Sequence, residues 1–528
     1  MLHEQSEQSG KFASSGREII HIQVGKAGNA IGNVFWKTLC QEHGVNTDTK
    51  DDNMKGCLMD DGESKGPKGY IDVFFNEGRA MDRKVRYVPR AILLDTNMGD
   101  LATIAEDSAV GDLYRPEDII GNDESSGNCY AKAFHTEGPD LADRCLEMVR
   151  KEVEKCNCLQ GVQFCHSASG GTGTGLTGLV LKTLRDYLDK QSAVMQSFVL
   201  APAPGISDVV LEPYNACLCF QDLLEYTDQV FLFDNKALSE ICQKALEQDM
   251  PKMANLNEVI ARCMSGITSC LRYTGPLNAD LRKLQTNLVP FKNAHFLING
   301  LAPLNSSSAG KYRRASVLDL TQQMLSKDNV TVKCDPLNPG DEFHGMLKAR
   351  FLASWTSWKG KFQTKEVDQA LYEIQKDGSR YDKFFPDWIP NSVASNISGS
   401  KHKEKERSVV FTTNNTSVHE VFDRSIKNWD STYKSRAFVH VYEQDGISVQ
   451  DLMESRNIVQ YISDAYCEFA RWEDKFFEDM SGGPKPVIRE RAIDNDEQRS
   501  IAQELKVTQL CVLTRCSEMS QSLFGSGL

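Results

Sequence analysis

The sequence predicts an α/β fold in which a parallel sheet is covered by helices. Three observations support this prediction: apolar strand-like segments alternate with helical segments, a glycine-rich loop joins one strand to one helix, and two long amphipathic series follow near the end. Such alternation is typical of parallel sheets, because each crossover places a helix on a face of the sheet. At 528 residues the chain exceeds what one core usually organises, so we expect more than one packed unit.

The predicted strands begin with Glu18–Val24 (EIIHIQV), which runs into KAGNAIGN and then into a helix with apolar Phe35, Trp36 and Leu39. Further strands, mostly followed by helical segments, are predicted at 91–94, 162–165, 198–200 and 230–233. Ligands of such sheets bind beyond the carboxyl ends of the strands, where the loops gather. We therefore expect a binding site in the loops that follow these strands.

The second half of the chain changes pattern at about residue 236 and mixes helical pieces with strand-like pieces such as 294–300. Two series of apolar residues at helical spacing then predict two long helices that bury one face each. These residues are Val421, Phe422, Ile426, Trp429 and Tyr433 in the first series, and Leu452, Val459, Ile462, Tyr466 and Phe469 in the second.

Composition excludes several classes of protein. The apolar and charged fractions, 40% and 25%, are those of a globular chain, and the net charge of −13 argues against a nucleic-acid partner. The polar first sixteen residues, and the lack of a long apolar run, predict a cytoplasmic protein without a membrane span. The sixteen cysteines are interpreted as reduced and packed in cores.

The most informative stretch is the glycine-rich loop SGGTGTG at 169–175, between the predicted strand at 162–165 and an apolar-periodic helix. Glycines let the backbone approach an anion, and the helix start offers free N–H groups. The loop is not a P-loop, because no Gly-Lys-Ser/Thr follows, and its depth in the chain argues against a dinucleotide fingerprint. A tight turn without a ligand is the alternative.

The loop resembles the signature GGGTGSG of the tubulin superfamily, and other family motifs follow in order over residues 17 to about 472. They are REIIHIQVGKAGNAIG from 17, YVPRAILLD from 87, AKAFHTEG from 131, ISDVVLEPYNA from 206, FDNKAL from 233, MSGITSCLRYTGPLNADLRKL from 264, TQQM from 321, KEVD from 365 and DWIPNSV from 387. Within the family the resemblance is strongest to β-tubulin, through LNADLRKL from 277 and the LTQQM context.

The resemblance implies a tubulin-like fold and bound GTP or GDP. It divides the chain into an N-terminal extension at 1–16, a GTP-binding domain at 17–235, an intermediate α+β domain at 236–417, a helical region at 418–480 and a tail at 481–528. The family's assemblies imply a longitudinal α-tubulin-like partner, other tubulins as lateral partners, and a place in the cytoskeleton.

The resemblance also assigns site residues. The phosphate-binding residues that it implies are all small or polar, and they are Gly25, Gly28, Asn128, Ser169, Gly170, Gly171, Thr172, Gly173 and Thr174. Lys26 and Asp95 are also expected in the nucleotide-binding site. Asp208 and Glu212 correspond to ribose contacts, and Asn235 and Asn257 to guanine contacts, since an amide both donates and accepts. We expect valine at both Gly171 and Gly173 to fill the phosphate position.

Several positions depart from the family. Lys26 replaces a glutamine, and the loop 96–100 reads TNMGD where β-tubulin reads LEPGT, so that Asn97 replaces a glutamate. The loss of a carboxylate and the gain of an ammonium predict a weakened Mg²⁺ site, with Asp95 as its remaining ligand. We expect Lys26 to neutralise phosphate instead. Met253 stands where the family stacks an aromatic ring on guanine.

The family is a GTPase family in which the subunit above supplies an activating acid to the subunit below. The corresponding residue is Lys283, as in β-tubulin, so the chain has no catalytic residue of its own. Lys26, Asn97 and Lys283 leave GTP turnover open. Two hypotheses follow: a polymer-forming tubulin, or a non-cycling binding or capping factor. A small-molecule enzyme would need an acid such as His166, which is expected to pack against the sheet.

Overall fold

The computed structural model describes most of the chain and leaves out its two ends and several loops. The described residues are 16–47, 55–58, 69–79, 85–107, 109–188, 192–203, 207, 209–244, 250–275, 280–304, 315–337, 348–376, 378–386, 389, 392–399 and 407–480. The predicted tail, nearly all of the predicted N-terminal extension and the ribose candidate Asp208 lie outside the described residues.

Twelve strands occur among the described residues, and every predicted strand is confirmed. They are β1 (Glu18–Val24), β2 (Phe75–Arg79), β3 (Val85–Pro89), β4 (Ala91–Asp95), β5 (Ile119–Gly121), β6 (Leu159–Ser167), β7 (Val194–Ala201), β8 (Gln229–Asp234), β9 (Phe296–Ala302), β10 (Phe351–Lys359), β11 (Val393–Ser398) and β12 (Ser408–Asn415). The hairpin β2–β3 stands apart from the main sheet and was not predicted.

Ten of these strands form one sheet in the order β11-β10-β12-β9-β8-β7-β6-β1-β4-β5. The strands from β5 through β1 to β9 all pair in parallel, and β12 pairs antiparallel with both β9 and β10. The chain extends the sheet from β1 toward β5 on one side and from β6 toward β9 on the other. The strand order therefore reverses between β1 and β6, which is where ligands of open parallel sheets bind.

The register of the central strands is marked by buried polar side chains that face one another. His21 of β1 is opposite Gln163 of β6, which is opposite Gln196 of β7, which is opposite Gln229 of β8. Gln163 Nε2 donates to Gln196 Oε1 at 2.9 Å, and Gln196 Nε2 donates to Gln229 Oε1 at 2.5 Å. A slip of one residue would leave these amides facing apolar neighbours, so the ladder specifies the pairing.

Thirteen α-helices accompany the strands in the described part of the chain. They are α1 (Gly25–His43), α2 (Met98–Ala105), α3 (Gly138–Glu154), α4 (Thr177–Leu188), α5 (Glu212–Tyr226), α6 (Asn235–Lys244), α7 (Met253–Arg272), α8 (Leu281–Leu288), α9 (Val317–Met324), α10 (Thr364–Gln375), α11 (His419–Lys434), α12 (Val439–Gln444) and α13 (Val449–Met480). Five-residue π-helical turns, Lys132–Thr136 and Thr172–Leu176, precede α3 and α4.

Two of the clusters of buried apolar side chains among the described residues pack helices against the sheet. The larger packs α1 and α7 against the central strands and includes the fully buried Phe35 and Trp36. The smaller packs α9 and α10 against β9, β10 and β12 around the fully buried Trp358. Each large apolar side chain buried in this way contributes about 1.5–3 kcal/mol, so these cores hold the strands and their loops in place.

The two long helices predicted near the end of the chain are confirmed as α11 and α13. All the predicted apolar positions on them are buried except Tyr433, which is half-buried. The short helix α12 between them was not predicted. Its entry turn contains Arg436 and Phe438 with φ values of 48° and 62°, a left-handed conformation that sequence periodicity does not signal.

The described residues divide into two compact units. The first comprises residues 16–385 and 392–470 and holds the sheet and its helices, while the second includes residues 386 and 389 and the end of α13. The described cysteines other than Cys467 form no disulfide bond, and all of these except Cys156 and Cys158 are buried. No helix among the described residues is both long enough and apolar enough to cross a membrane.

Candidate functional site

Four loops meet at the carboxyl edge of the sheet, beside the reversal of strand order. They follow β1, β4, β5 and β6. Gly25 follows β1, has a φ of 74° and is the first residue of α1. A Cβ on Gly25 would lie 3.3 Å from the Gly173 backbone nitrogen. The loop after β1 and the glycine-rich loop after β6 are therefore in contact, and glycine is required at residue 25 by its backbone conformation.

Three hydroxyl groups join the loops after β4, β5 and β6. Thr172 Oγ1 lies 2.7 Å from Thr96 Oγ1 and 3.1 Å from Ser126 Oγ. Thr96 and Ser126 are 2% and 4% exposed, so both are held in place by their surroundings. Sequence reasoning found Thr172 but missed Thr96 and Ser126. The signal for Thr96 was its position directly after the carboxyl end of β4.

The glycines of the loop after β6 serve two different purposes. A Cβ on Gly170 would have Asn128 Oδ1 at 4.0 Å as its nearest neighbour, so residue 170 borders open space. A Cβ on Gly171 would lie 2.6 Å from the Cys129 nitrogen, and one on Gly173 would lie 2.8 Å from the Ser167 oxygen. The expectation that side chains at 171 and 173 fill a phosphate position is therefore wrong, because both positions face protein backbone.

Gly28 and Thr174 also act within the protein. A Cβ on Gly28 would lie 2.1 Å from the Cys165 carbonyl oxygen, so this glycine allows α1 to pack closely on β6. The Thr174 hydroxyl is fully buried and donates to the carbonyl oxygens of Gly170 and Gly171 at 2.7 and 3.1 Å. Gly28 and Thr174 therefore shape the loops, and the Thr174 hydroxyl donates within the protein and not to a ligand.

Glu212 connects the glycine-rich loop to the end of β7. Its Oε1 accepts from the Ser169 hydroxyl and from the Ala203 backbone nitrogen, both at 3.1 Å. Burial raises the pKa of the Glu212 carboxyl, and the hydrogen bond from Ser169 opposes that rise. The carboxylate lies beside the phosphate-type loop, which is compatible with the ribose contact assigned to it.

The loop after β4 carries the charged groups of the site. Asp95 is 3% exposed; its Oδ1 accepts from the Asn97 nitrogen at 3.3 Å, and its Oδ2 has no partner within the described residues. Burial, helped by the nearby charge of Asp100, raises the pKa of Asp95 to about 6, although backbone hydrogen bonds and Lys26 oppose the rise. An unpartnered, buried carboxylate oxygen is a group that a bound cation or a donor would satisfy.

Lys26 and Asn97 are placed differently from the prediction. The Lys26 side chain is 80% exposed, and its Nζ lies 3.2 Å from Asp100 Oδ1. The Asn97 amide caps α2: its oxygen accepts from the Gly99 nitrogen at 3.0 Å, and its Nδ2 donates to Asp100 Oδ2 at 3.2 Å. Sequence reasoning missed Asp100, which stands where β-tubulin has the threonine of LEPGT and supplies a carboxylate that Asn97 does not.

The residues assigned to guanine lie at the starts of two helices. Asn235 is the first residue of α6 and Asn257 lies in the second turn of α7, and both are half-buried. Met253 begins α7 with 58% of its surface exposed. Half-buried amides can still bond an incoming base edge, and an exposed thioether can pack against its face.

His166 is not available as a catalytic acid. It is fully buried, its Nδ1 lies 2.8 Å from the Gly173 carbonyl oxygen, and burial lowers its pKa to about 4. The expectation that it packs against the sheet is confirmed. Its neutral imidazole supports the glycine-rich loop, which argues against the small-molecule enzyme alternative.

The site fits a phosphate-bearing ligand. It combines hydroxyl donors, the start of the helical segment that leads into α4, open space beside Gly170 and one carboxylate oxygen, Asp95 Oδ2, that has no partner within the described residues. Helix starts and small residues of this kind bind anions. No cluster of metal-ligand type occurs among the described residues, so a divalent ion here would depend on ligand oxygens as well as on Asp95.

Comparison with known proteins agrees with this geometry. The model of the Tubulin/FtsZ family GTPase domain matches residues 18–243, and the model of the tubulin C-terminal domain matches residues 293–427. The tubulin beta-6 chain of Gossypium hirsutum is 38% identical over 464 residues, which is 88% of this chain and 96% of that protein. The tubulin beta-1 chain of Homo sapiens is 38% identical over 454 residues, 86% of this chain and 94% of that protein.

The chain belongs to the tubulin family. Its GTPase domain implies guanine-nucleotide binding, and the similarity to β-tubulins suggests tubulin partners. All four loops of the site lie within the matched GTPase domain, whereas Asn257 lies between the two matched regions. The family resemblance and the predicted fold class, a parallel-sheet domain followed by C-terminal helices, are confirmed.

Proposed function

We propose that the chain is a guanine-nucleotide-binding cytoskeletal subunit that occupies the β-tubulin position, assembling longitudinally with an α-tubulin-like subunit and laterally with other tubulins. The observation that carries this proposal is the convergence of four loops, joined by the hydroxyls of Thr96, Ser126 and Thr172, at the reversal of strand order. A site of that form in a tubulin GTPase domain suits GTP or GDP better than any other ligand class.

The proposed division of labour follows the chemistry of each group. The backbone around Gly25 and Gly170 and the hydroxyl of Thr172 would hold the phosphates, since these groups border the open side of the loops. Glu212 would accept from a ribose hydroxyl, while Asn235 and Asn257 would bond the guanine edge. Bound GTP would supply the γ-phosphate, whose presence or absence can switch an assembly state.

Lys283 supports the β position. Lys283 is exposed in the first turn of α8. The residue before this helix is Asp280, whose carboxylate lies 3.3 Å from Arg17 Nε. A lysine ammonium cannot orient and deprotonate water as a carboxylate does at neutral pH. A subunit placed below this chain would therefore keep its nucleotide, as expected of a longitudinal pair with a stable junction.

Co-purification from the native source tests the proposed position. We expect an α-tubulin-like chain in equal amount, with GTP retained at the junction below Lys283. Lys283→Glu should introduce hydrolysis at that junction, while Lys292→Glu, a matched charge reversal at another exposed lysine, should not. Stable filaments of this chain alone that hydrolyse GTP briskly at every junction would contradict the assignment.

A second candidate function is that of a binding or capping factor that does not cycle nucleotide. The use of the Asn97 amide as a helix cap favours it, because the position that carries a metal-binding glutamate in the family is committed to α2. Pelleting with α-tubulin separates the two. Co-pelleting along the polymer with turnover of bound GTP supports the polymer subunit, while binding at polymer ends without turnover supports the factor.

A further inference from the structure

A fully buried asparagine on α5 connects two of the loops at the site. Asn215 is 0% exposed, and its amide uses its full set of hydrogen bonds. Its Oδ1 accepts from the Tyr130 nitrogen at 3.1 Å and from the Tyr442 hydroxyl at 2.6 Å. Its Nδ2 donates to the carbonyl oxygens of Asn128 at 2.8 Å and Ser169 at 3.0 Å. Replacing this side chain would leave buried backbone oxygens without a donor.

One of the two carbonyl groups, that of Asn128, belongs to a tight turn of the backbone. Gly127 and Asn128 both have φ values of 59°, a left-handed conformation that glycine and asparagine adopt more readily than other residues. The loop that contains Asn128 also touches the glycine-rich loop, because a Cβ on Gly171 would lie 2.6 Å from the Cys129 nitrogen. The distance between the two loops is thus set by contact on one side and by the Asn215 amide on the other.

The second acceptor bond of Asn215 comes from α12. Tyr442 is 0% exposed, and burial raises the pKa of its hydroxyl well above the ordinary value, so the group stays a donor. Its ring packs edge-on to Tyr214, the residue before Asn215, with centroids 5.4 Å apart. The Tyr214 hydroxyl in turn donates to the Ala437 carbonyl oxygen at 3.0 Å, just before α12. Contacts from α12 therefore fix the Asn215 side chain in its bridging orientation.

We propose that Asn215 is a positioning residue for the phosphates of the guanine nucleotide: it touches no ligand, but its amide sets the spacing of the Asn128 and Ser169 loops, and Tyr442 holds that amide in place. This inference rests on the proposed nucleotide binding. Asn215 lies one helical turn after Glu212, so a single turn of α5 supports both the ribose side and the phosphate side of the site.

The test compares GDP with guanosine, which has the same base and ribose but no phosphate, by titration calorimetry on the full chain. Asn215→Asp keeps both acceptor bonds and replaces the amino group with an oxygen that faces two carbonyl oxygens. We expect affinity for GDP to fall about tenfold relative to guanosine, as for the loss of one to two hydrogen bonds. Tyr442→Phe keeps the ring and the packing and should lower the same ratio by about threefold.

The matched control is Asn414→Asp. Asn414 is also fully buried and also donates from Nδ2 to two carbonyl oxygens, those of Leu288 and Ala294, but it lies at the end of β12 away from the site. The Asn414→Asp variant should have a lower melting temperature and an unchanged ratio of GDP to guanosine affinity. An unchanged ratio in both Asn215→Asp and Tyr442→Phe would overturn the inference. An unmutated protein that binds neither ligand would instead contradict the proposed function on which it rests.

Discussion

The ion pair between Lys26 and Asp100 should set how strongly nucleotide affinity depends on Mg²⁺. Relative to the β-tubulin pattern, Lys26 and Asn97 make the site more positive by two charges, but Asp100 returns one of them. Two unit charges 3.2 Å apart would interact by about 5 kcal/mol at an intermediate dielectric. Because Lys26 is 80% exposed, solvent screening reduces this to about 1 kcal/mol, or about fivefold in affinity.

Two substitutions should have opposite effects on nucleotide affinity in the presence of a chelator. Lys26→Gln removes the cation and leaves Asp100 uncompensated, so affinity should fall about fivefold and the gain on adding Mg²⁺ should increase. Asp100→Asn releases Lys26 toward the phosphates and removes a carboxylate, so affinity should rise about fivefold and the gain with Mg²⁺ should shrink. The double variant should bind about as the unmutated protein does in chelator.

Titration calorimetry with GDP, with and without chelator, measures all four proteins. The double-mutant cycle tests whether the two effects on affinity are additive, as a double variant that binds like the unmutated protein requires. If the unmutated protein loses about a hundredfold or more in affinity when Mg²⁺ is removed, about 2.8 kcal/mol, Lys26 does not replace the ion. Equal effects of the two single substitutions would show that the exposed pair does not act on the phosphates at all.

Two further substitutions test the packing of the site and the pH dependence of stability. The valine side chain of Gly170→Val projects into open space, so this variant should fold but should not bind nucleotide. The added methyl group of Gly171→Ala meets backbone at 2.6 Å, so this variant should lose roughly 1–3 kcal/mol of stability, as read from melting temperatures. Burial and the charge of Glu152 raise the pKa of Asp118 to about 7, so its contribution to stability is lost as pH rises toward 8. Asp118→Asn should therefore stabilise the protein at pH 8 by on the order of 2 kcal/mol and hardly at pH 4, while Asp123→Asn, at an exposed carboxylate, should do so at neither pH.

The strands β1, β4, β6, β7, β8 and β9 could be predicted from the sequence because they are largely buried and mostly apolar. The strand β1 was predicted with its correct ends, and the long helices were predicted from apolar spacing. The hairpin β2–β3 was missed because both strands have only five residues and β2, FNEGR, is mostly polar. The helix α12 was missed because it has only six residues, too few to establish a period.

The candidate site could be located from its glycine-rich loop, but the roles of individual residues depend on tertiary contacts. Sequence alone does not show that Gly171 faces backbone while Gly170 faces open space, since both are glycines in one loop. It also does not show that Asp100 is the partner of Lys26, because 74 residues separate them and the pair forms only when β1 and β4 lie side by side. Asn215 was also missed, because its hydrogen-bond partners are distant from it in the sequence.

The nucleotide content of the purified protein tests the central claim most directly. The protein is isolated without added nucleotide and extracted with acid, and the extract is separated by ion-exchange chromatography against guanine and adenine standards. The convergence of the four loops in a tubulin GTPase domain predicts one GTP or GDP for each chain, lost in Gly170→Val. An extract with no nucleotide, or with adenine nucleotide alone, would contradict the assignment of this site to guanine-nucleotide binding.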